Sequence, residues 1–279
     1  MPRPSFRRAL PLLPLCLAAC ELTEVTVAEG DPRVIVQSVV SITELSQFVI
    51  VERSLTGSSD GLATSLPGGR GYPIGGAQVT LMNDGPSSCG DTEQGFGFNG
   101  ETYEGAIVCR PQAGDHLRLR VETPSGDVVT GTTTVPGARR VSVRLATDSA
   151  TAVGQVLTLD RQRDTIRIGV DPILARAMQV EVRWRDNPDE IAVYLFTDTL
   201  GVALPGDLIN PFEGDEGEPV FEVGREYSLT VAVTDTNYYD FVRSRSDPFT
   251  GRGFLNHLEG GIGVFGSVEA YTYYLRVVR

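Results

Sequence analysis

From Val34 to the carboxyl end the chain alternates apolar and polar residues with a period of two. Leu117, Leu119 and Val121 interleave with Arg118, Arg120 and Glu122, and Val180, Val182 and Trp184 with Glu181, Arg183 and Arg185. Val141, Val143 and Leu145, Ile166, Ile168 and Val170, and Tyr227, Leu229, Val231 and Val233 repeat the pattern. Successive strand residues point to opposite faces, so this period predicts strands with one buried and one wet face. Antiparallel sheets carry that signature, whereas parallel sheets read as near-continuous apolar runs. No stretch sustains helical spacing; the best short helix candidate is Tyr238 to Ser244.

Turn chemistry agrees. Pro124-Ser125-Gly126-Asp127 separates two alternating runs and predicts a hairpin, and 31 Gly and 17 Pro supply turns elsewhere. The expected fold class is all-β, with two antiparallel β-sandwich (Ig-like) domains and little helix. Ala146 to Gly154 is small and polar, which suits a boundary, so the domains are placed at residues 33–148 and 149–279. Gly114 to Val121 and Gly224 to Val231 echo each other as a turn followed by a core strand. Gly57 to Gly76 reads as an irregular insertion.

Residues 1–19 read as a bacterial lipoprotein signal peptide. Arg3, Arg7 and Arg8 form the cationic start, Ala9 to Leu17 the apolar stretch, and Leu17-Ala18-Ala19-Cys20 a lipobox whose Cys20 accepts the lipid. The apolar stretch, interrupted by Pro11 and Pro14, falls short of the roughly 20 residues needed to span a bilayer. Residues 20–32, acidic and poor in large apolar side chains, read as a tether. The expected location is the cell envelope; Glu21, a position without Asp after the lipid site, implies by resemblance to Gram-negative lipoproteins an outer-membrane lipoprotein, facing the periplasm or the surface. Once Cys16 leaves with the signal and Cys20 carries lipid, Cys89 and Cys109 remain; in an exported protein they invite a disulfide.

All 24 basic residues are Arg, which removes Schiff-base and P-loop lysine chemistry. A net charge of −12 argues against nucleic acid. Gly261-Ile262-Gly263-Val264-Phe265-Gly266 has the spacing of a dinucleotide fingerprint, but Ala270 to Val278 alternates like a strand where the fingerprint needs a helix. Neither nucleotide nor any other cofactor is expected, and the run reads as a tight glycine turn or bulge. The acidic loop Glu213 to Glu218 lacks the ordered spacing of a Ca²⁺ loop, and no metal site is expected.

Of the two histidines, His116 begins a strand and reads as a rim residue. His257 is the better site candidate, with Asp240 and Glu259 as possible carboxylate neighbours. Tyr238, Tyr239, Phe241, Phe249 and Phe254 gather just before it; exposed, they would stack on sugars or anchor a protein partner, and buried they close a core. Trp184, ending an alternating strand, reads as core. No nucleophile elbow or H-E-x-x-H motif occurs, so no catalytic residue is nominated and the protein is expected not to be an enzyme. The alternatives are a glycan- or peptide-binding adhesion module and a hydrolase using His257.

The Cys20 lipobox, Val34-Ile35-Val36, Phe48 to Arg53, Pro73 to Leu81, Thr130 to Pro136 and, most specifically, Leu258 to Gly266 together resemble an uncharacterised bacterial lipoprotein family, domain of unknown function 4249. The resemblance spans nearly the whole mature chain. It implies a first half similar to a carboxypeptidase-regulatory-like sandwich and a role as a non-enzymatic accessory beside a TonB-dependent outer-membrane transporter. It carries over no catalytic residues.

Overall fold

The alternating stretches become strands in the computed structural model, which describes residues 32–54, 72–85, 92–146, 148–209, 218–245 and 255–279. In order these are β1 (Val34–Ser41), β2 (Ser46–Arg53), β3 (Tyr72–Pro73), β4 (Gln78–Asn83), β5 (Thr92–Gly95), β6 (Gly97–Phe98), β7 (Tyr103–Ala106), β8 (His116–Glu122) and β9 (Val128–Thr134). Then follow β10 (Gly137–Arg144), β11 (Ser149–Ala150), β12 (Val156–Leu159), β13 (Thr165–Ile173), β14 (Ala177–Trp184), β15 (Ile191–Thr197), β16 (Gly201–Pro205) and β17 (Glu226–Thr234). The helix α1 (Thr236–Arg245) precedes β18 (Leu258–Glu259) and β19 (Ile262–Val277). The signal peptide with Cys20, nearly all of the tether, and most of the Gly57 to Gly76 insertion lie outside the described residues.

The expected all-β sandwich architecture is present, built around two cores. In the first, β1, β2, β7 and β6 form one layer and β18, β9, β8, β4 and β5 the other. Val36, Val51, Val121 and Leu119 are fully buried between the layers, each worth about 1.5–3 kcal/mol against exposure. The predicted hairpin is the β8–β9 pair, closed by Gly126 at φ +89°. In the second core, β15, β14, β17 and β19 face β11, β10, β13 and β16, and Ile166, Val180, Leu229, Tyr273 and Leu275 are buried between them.

One strand belongs to both. The first half of β19 pairs in parallel with β1 over Ile262 to Val268, and its second half pairs antiparallel with β17 over Val268 to Arg276. At roughly 3.3 Å per residue its 16 residues run about 50 Å, enough to join the two layers into a ten-stranded sheet. A second parallel pairing joins β12 to β19. These two parallel pairings depart from the antiparallel reading, because the last strand returns from the distant end of the chain instead of following its partner through a hairpin.

Around residues 148 and 149 the packing crosses over. β10, on the amino-terminal side, places Val141 and Val143 in the second core, while Leu258 and Phe265, from near the carboxyl end, complete the first. The echo between Gly114 and Gly224 has a structural counterpart. Gly114 (φ +95°) donates to the Val135 carbonyl and Val135 donates back to Asp115; Gly224 (φ +85°) donates to Val277 and Val277 back to Arg225. Each sandwich also pins a buried tyrosine to backbone. Tyr103 Oη donates to Ile74 O at 2.6 Å and Tyr227 Oη to Val220 O at 3.0 Å.

Candidate functional site

The sequence features that remained after the fold was accounted for converge on α1, which lies over the place where β19 passes from one core to the other. The helix spans Thr236–Arg245, longer than the predicted Tyr238 to Ser244, because Asp235 caps it. Asp235 Oδ1 accepts from the Tyr238 amide at 2.9 Å, the third helical position. Its other oxygen takes the Thr133 hydroxyl at 2.5 Å, and that hydroxyl is 2.9 Å from Ser267 Oγ. Asn237 Nδ2 donates to the Thr132 carbonyl at 2.7 Å and to Phe265 O at 2.9 Å. β9, β19 and the start of α1 are thus tied together around the buried Asp235. Burial pushes the Asp235 carboxyl up from its ordinary value, against the lowering by Thr133 and the backbone amides. A polar cavity of about 240 Å³ opens beside it, bordered by His116, Thr133, Leu174 and Asn237. Leu174 holds φ +56°, which among the described residues no other non-glycine shares in sign.

The aromatic candidates divide by helical face. Tyr238 and Phe241, three positions apart, line an open cleft of about 560 Å³ with Gln37 and Phe48 on the outer face of β1 and β2; Gln47 also borders it but is buried, its amide held by Ser41 and the Glu44 carbonyl. Phe48 is half exposed. Tyr239 is buried, stacked 6.1 Å from Phe196 with the Arg176 guanidinium 4.1 Å above its ring, and Tyr238 meets the same Phe196 edge-on at 6.0 Å. Tyr239 belongs to the packing, so the five aromatics do not form one surface. Phe249 and Phe254 lie outside the described residues. His257 Nε2 is 3.0 Å from Asp240 Oδ2, so the carboxylate nominated from the sequence is its neighbour, whereas Glu259 leaves along β18.

The glycine run is a crossover. β18 pairs with β9 in one layer and β19 with β1 in the other, so the chain must step between layers at Gly260 and Gly261. A Cβ on Gly261 would lie 2.7 Å from Val129 Cγ2, and on Gly266 2.8 Å from Tyr238 Cβ, where α1 presses on the strand. Gly263, at φ +134°, lies against the Val36 carbonyl. Asn256 braces the step: its Oδ1 accepts from the Gly263 amide at 3.1 Å and its Nδ2 donates to Gly261 O at 2.9 Å. Strand, not helix, follows the run, so no helix N-terminus is available there to hold a pyrophosphate.

The remaining candidates are placed as follows. His116 is exposed, with Nδ1 3.1 Å from Thr134 Oγ1. Trp184 is half-buried against the second core. Cys89 lies outside the described residues and with it the expected bridge; Cys109 borders a small cavity beside Leu81 and Leu117. Glu213 to Gly217 of the acidic loop also lie outside. No described helix is long and apolar enough to cross a membrane, and no group of three or more His, Cys, Asp or Glu among the described residues could hold a metal ion.

The sequence reading missed Asp235, Thr133, Ser267 and Asn256. Thr234-Asp235-Thr236-Asn237 is a cap signature that would have placed the helix start. Thr133 and Ser267 are 134 positions apart, and no local signal joins them.

The family model for a domain of unknown function, DUF4249, matches residues 21–274. The chain belongs to this family. The glycine crossover and the capped helix therefore lie inside the matched span. No curated protein matches the chain. Among solved structures it is similar to the chicken CNTN1 FN1-FN3 domains at 11% identity and a TM-score of 0.22, covering 90% of this chain and 66% of that one, just under two thirds.

Proposed function

We propose that this DUF4249 protein is a non-enzymatic, lipid-anchored envelope protein that serves as an accessory or binding component beside a TonB-dependent outer-membrane transporter. The observation that carries the location is Leu17-Ala18-Ala19-Cys20 after a cationic, apolar start. A lipid on Cys20 would hold the protein at a bilayer while the acidic tether sets the sandwiches off from it. The shared strand β19 supports a binding role over independently moving modules, since it couples both cores through one backbone ladder. Native membranes solubilised in mild detergent test the reading: co-purification with a transporter is expected, and its absence with the protein itself intact counts against it. Cys20→Ser should shift the protein from the membrane to the soluble fraction.

The cleft over β1 and β2 favours a second reading, a glycan- or peptide-binding surface module. Tyr238, Phe241 and Phe48 supply aromatic faces and the partly exposed Gln37 lies beside them, a combination that stacks on and hydrogen-bonds to sugars. A glycan array and a peptide screen distinguish the two readings, because only the second predicts a ligand that is lost with Phe48→Ala.

A further inference from the structure

Among the described residues β15 is the terminal strand of the ten-stranded sheet, paired with β14. An edge strand offers backbone N–H and C=O groups along its outer side, a template for another strand. The other sheet ends among the described residues are blunted. β6, β11 and β18 are two residues long, and β5 is four residues reading Thr-Glu-Gln-Gly. β12 has four residues, and β16, with five, begins at Gly201 and ends at Pro205, which has no N–H to offer. β15 has seven, Ile-Ala-Val-Tyr-Leu-Phe-Thr, with no charge, glycine or proline. Val193 and Leu195 pack against the second core, while Ile191 and Tyr194 are 44% and 47% exposed.

The flanks of this strand decide what fits it. Asp189 and Glu190 precede it and Asp198 follows, all exposed. A second copy added antiparallel would set Glu190 near Asp198, and one added parallel would set each acid near its own equivalent. Like charges facing each other across strands are destabilising. A foreign strand with cations at both ends meets no such penalty.

We propose that β15 is a docking edge for an extended segment of a partner protein, uncharged and β-forming at its centre and carrying Arg or Lys at both ends, which adds to the sheet as a further strand. At roughly 3.3 Å per residue the seven residues of β15 span about 23 Å, so the partner's basic residues lie some six to eight positions apart. This deepens the binding-component reading and does not require the partner to be a transporter.

The test uses the full chain in mild detergent and a fluorescent probe peptide, Arg-Arg-Val-Thr-Val-Thr-Val-Arg-Arg, beside the same peptide with Glu ends and one with a central Pro. The Arg-ended peptide is expected to bind at least about tenfold more tightly than the Glu-ended one and to weaken with added salt. The Pro peptide should not bind, and hydrogen exchange should slow at Ile191–Thr197. The double variant E190R/D198R should reverse the order of the two charged peptides. If that variant melts early, the salt dependence of the unmodified chain reads the same charge contribution. Absence of binding, equal binding of both charged peptides, or protection elsewhere overturns the proposal. So does a sedimenting dimer of the full chain that protects the same amides, which would make a second copy the occupant. Loss of transporter co-purification with peptide binding intact would overturn the proposed function and leave the docking edge standing.

Discussion

Gly263→Ala perturbs the strand that joins the two cores. Gly263 pairs with Val36 in the parallel β1–β19 ladder and holds φ +134°, a region L residues rarely enter. Residues forced into such regions cost about 1–3 kcal/mol each. The added methyl would overlap the Val36 carbonyl oxygen and lie 2.8 Å from its carbon. Both are backbone atoms, so no rotamer change relieves the clash, and overpacking of this kind costs about 1–3 kcal/mol more. The expected loss is therefore about 2–6 kcal/mol out of the 5–15 kcal/mol typical of a folded domain. At about 2–4 °C per kcal/mol for a chain of this size class, melting should fall by about 4–24 °C. Urea and thermal unfolding followed by circular dichroism measure it, with hydrogen exchange expected to speed up first in β1 and the first half of β19. Gly95→Ala is the control: a Cβ there meets nothing within 4 Å, so its effect should stay within about 0.5 kcal/mol. A Gly263→Ala protein that melts with the wild type would refute the crossover account.

Asp235→Asn keeps a cap acceptor and removes the titration. Burial raises the folded carboxyl above 3.8, so across that interval the folded chain binds a proton the unfolded chain has released, and unfolding free energy from this group falls as pH rises. Urea melts from pH 4 to 7 should show that slope in the wild type and its loss in the variant, whereas Asp235→Ala should cost about 1–3 kcal/mol at any of these pH values. Asn256→Ala strips the crossover of its bonds to Gly261 and Gly263 and is expected to cost about 1–3 kcal/mol in the same assay. Tyr227→Phe removes the hydroxyl that bonds Val220 O and the Glu222 amide, with a similar loss expected in the second core. We further predict that thiol labelling of the oxidised, denatured protein leaves Cys89 and Cys109 unmodified; labelling of both would remove the bridge.

Strand positions were legible where a residue's surroundings depend on parity alone. Leu117, Leu119 and Val121 read as inward from their spacing and are buried, and Gly126 read as a hairpin turn and adopts positive φ. His257 and Asp240 were legible as neighbours because both lie near α1, 17 residues apart. The different settings of Tyr239 and of Tyr238 and Phe241 were not, since adjacent residues on a helix lie about 100° apart and which face meets the sheet depends on how the helix docks. The helix start at Asp235 was not legible because the cap directly follows the buried strand β17, with no intervening turn residues to separate strand from helix.

By itself the sequence determined the period-two pattern, the turns, the short helix and the lipobox, all of which depend on residues within a few positions of one another. Only the tertiary structure decided that Ile262–Val277 is one strand serving two cores, that Gly260 to Gly266 is the step between layers, and that Thr133, Asp235 and Ser267 meet. Those outcomes depend on contacts across more than a hundred residues, where the partner is chosen by which edge remains open after the local strands have paired. Tertiary structure alone also leaves β15 as the longest uncharged edge among the described strands.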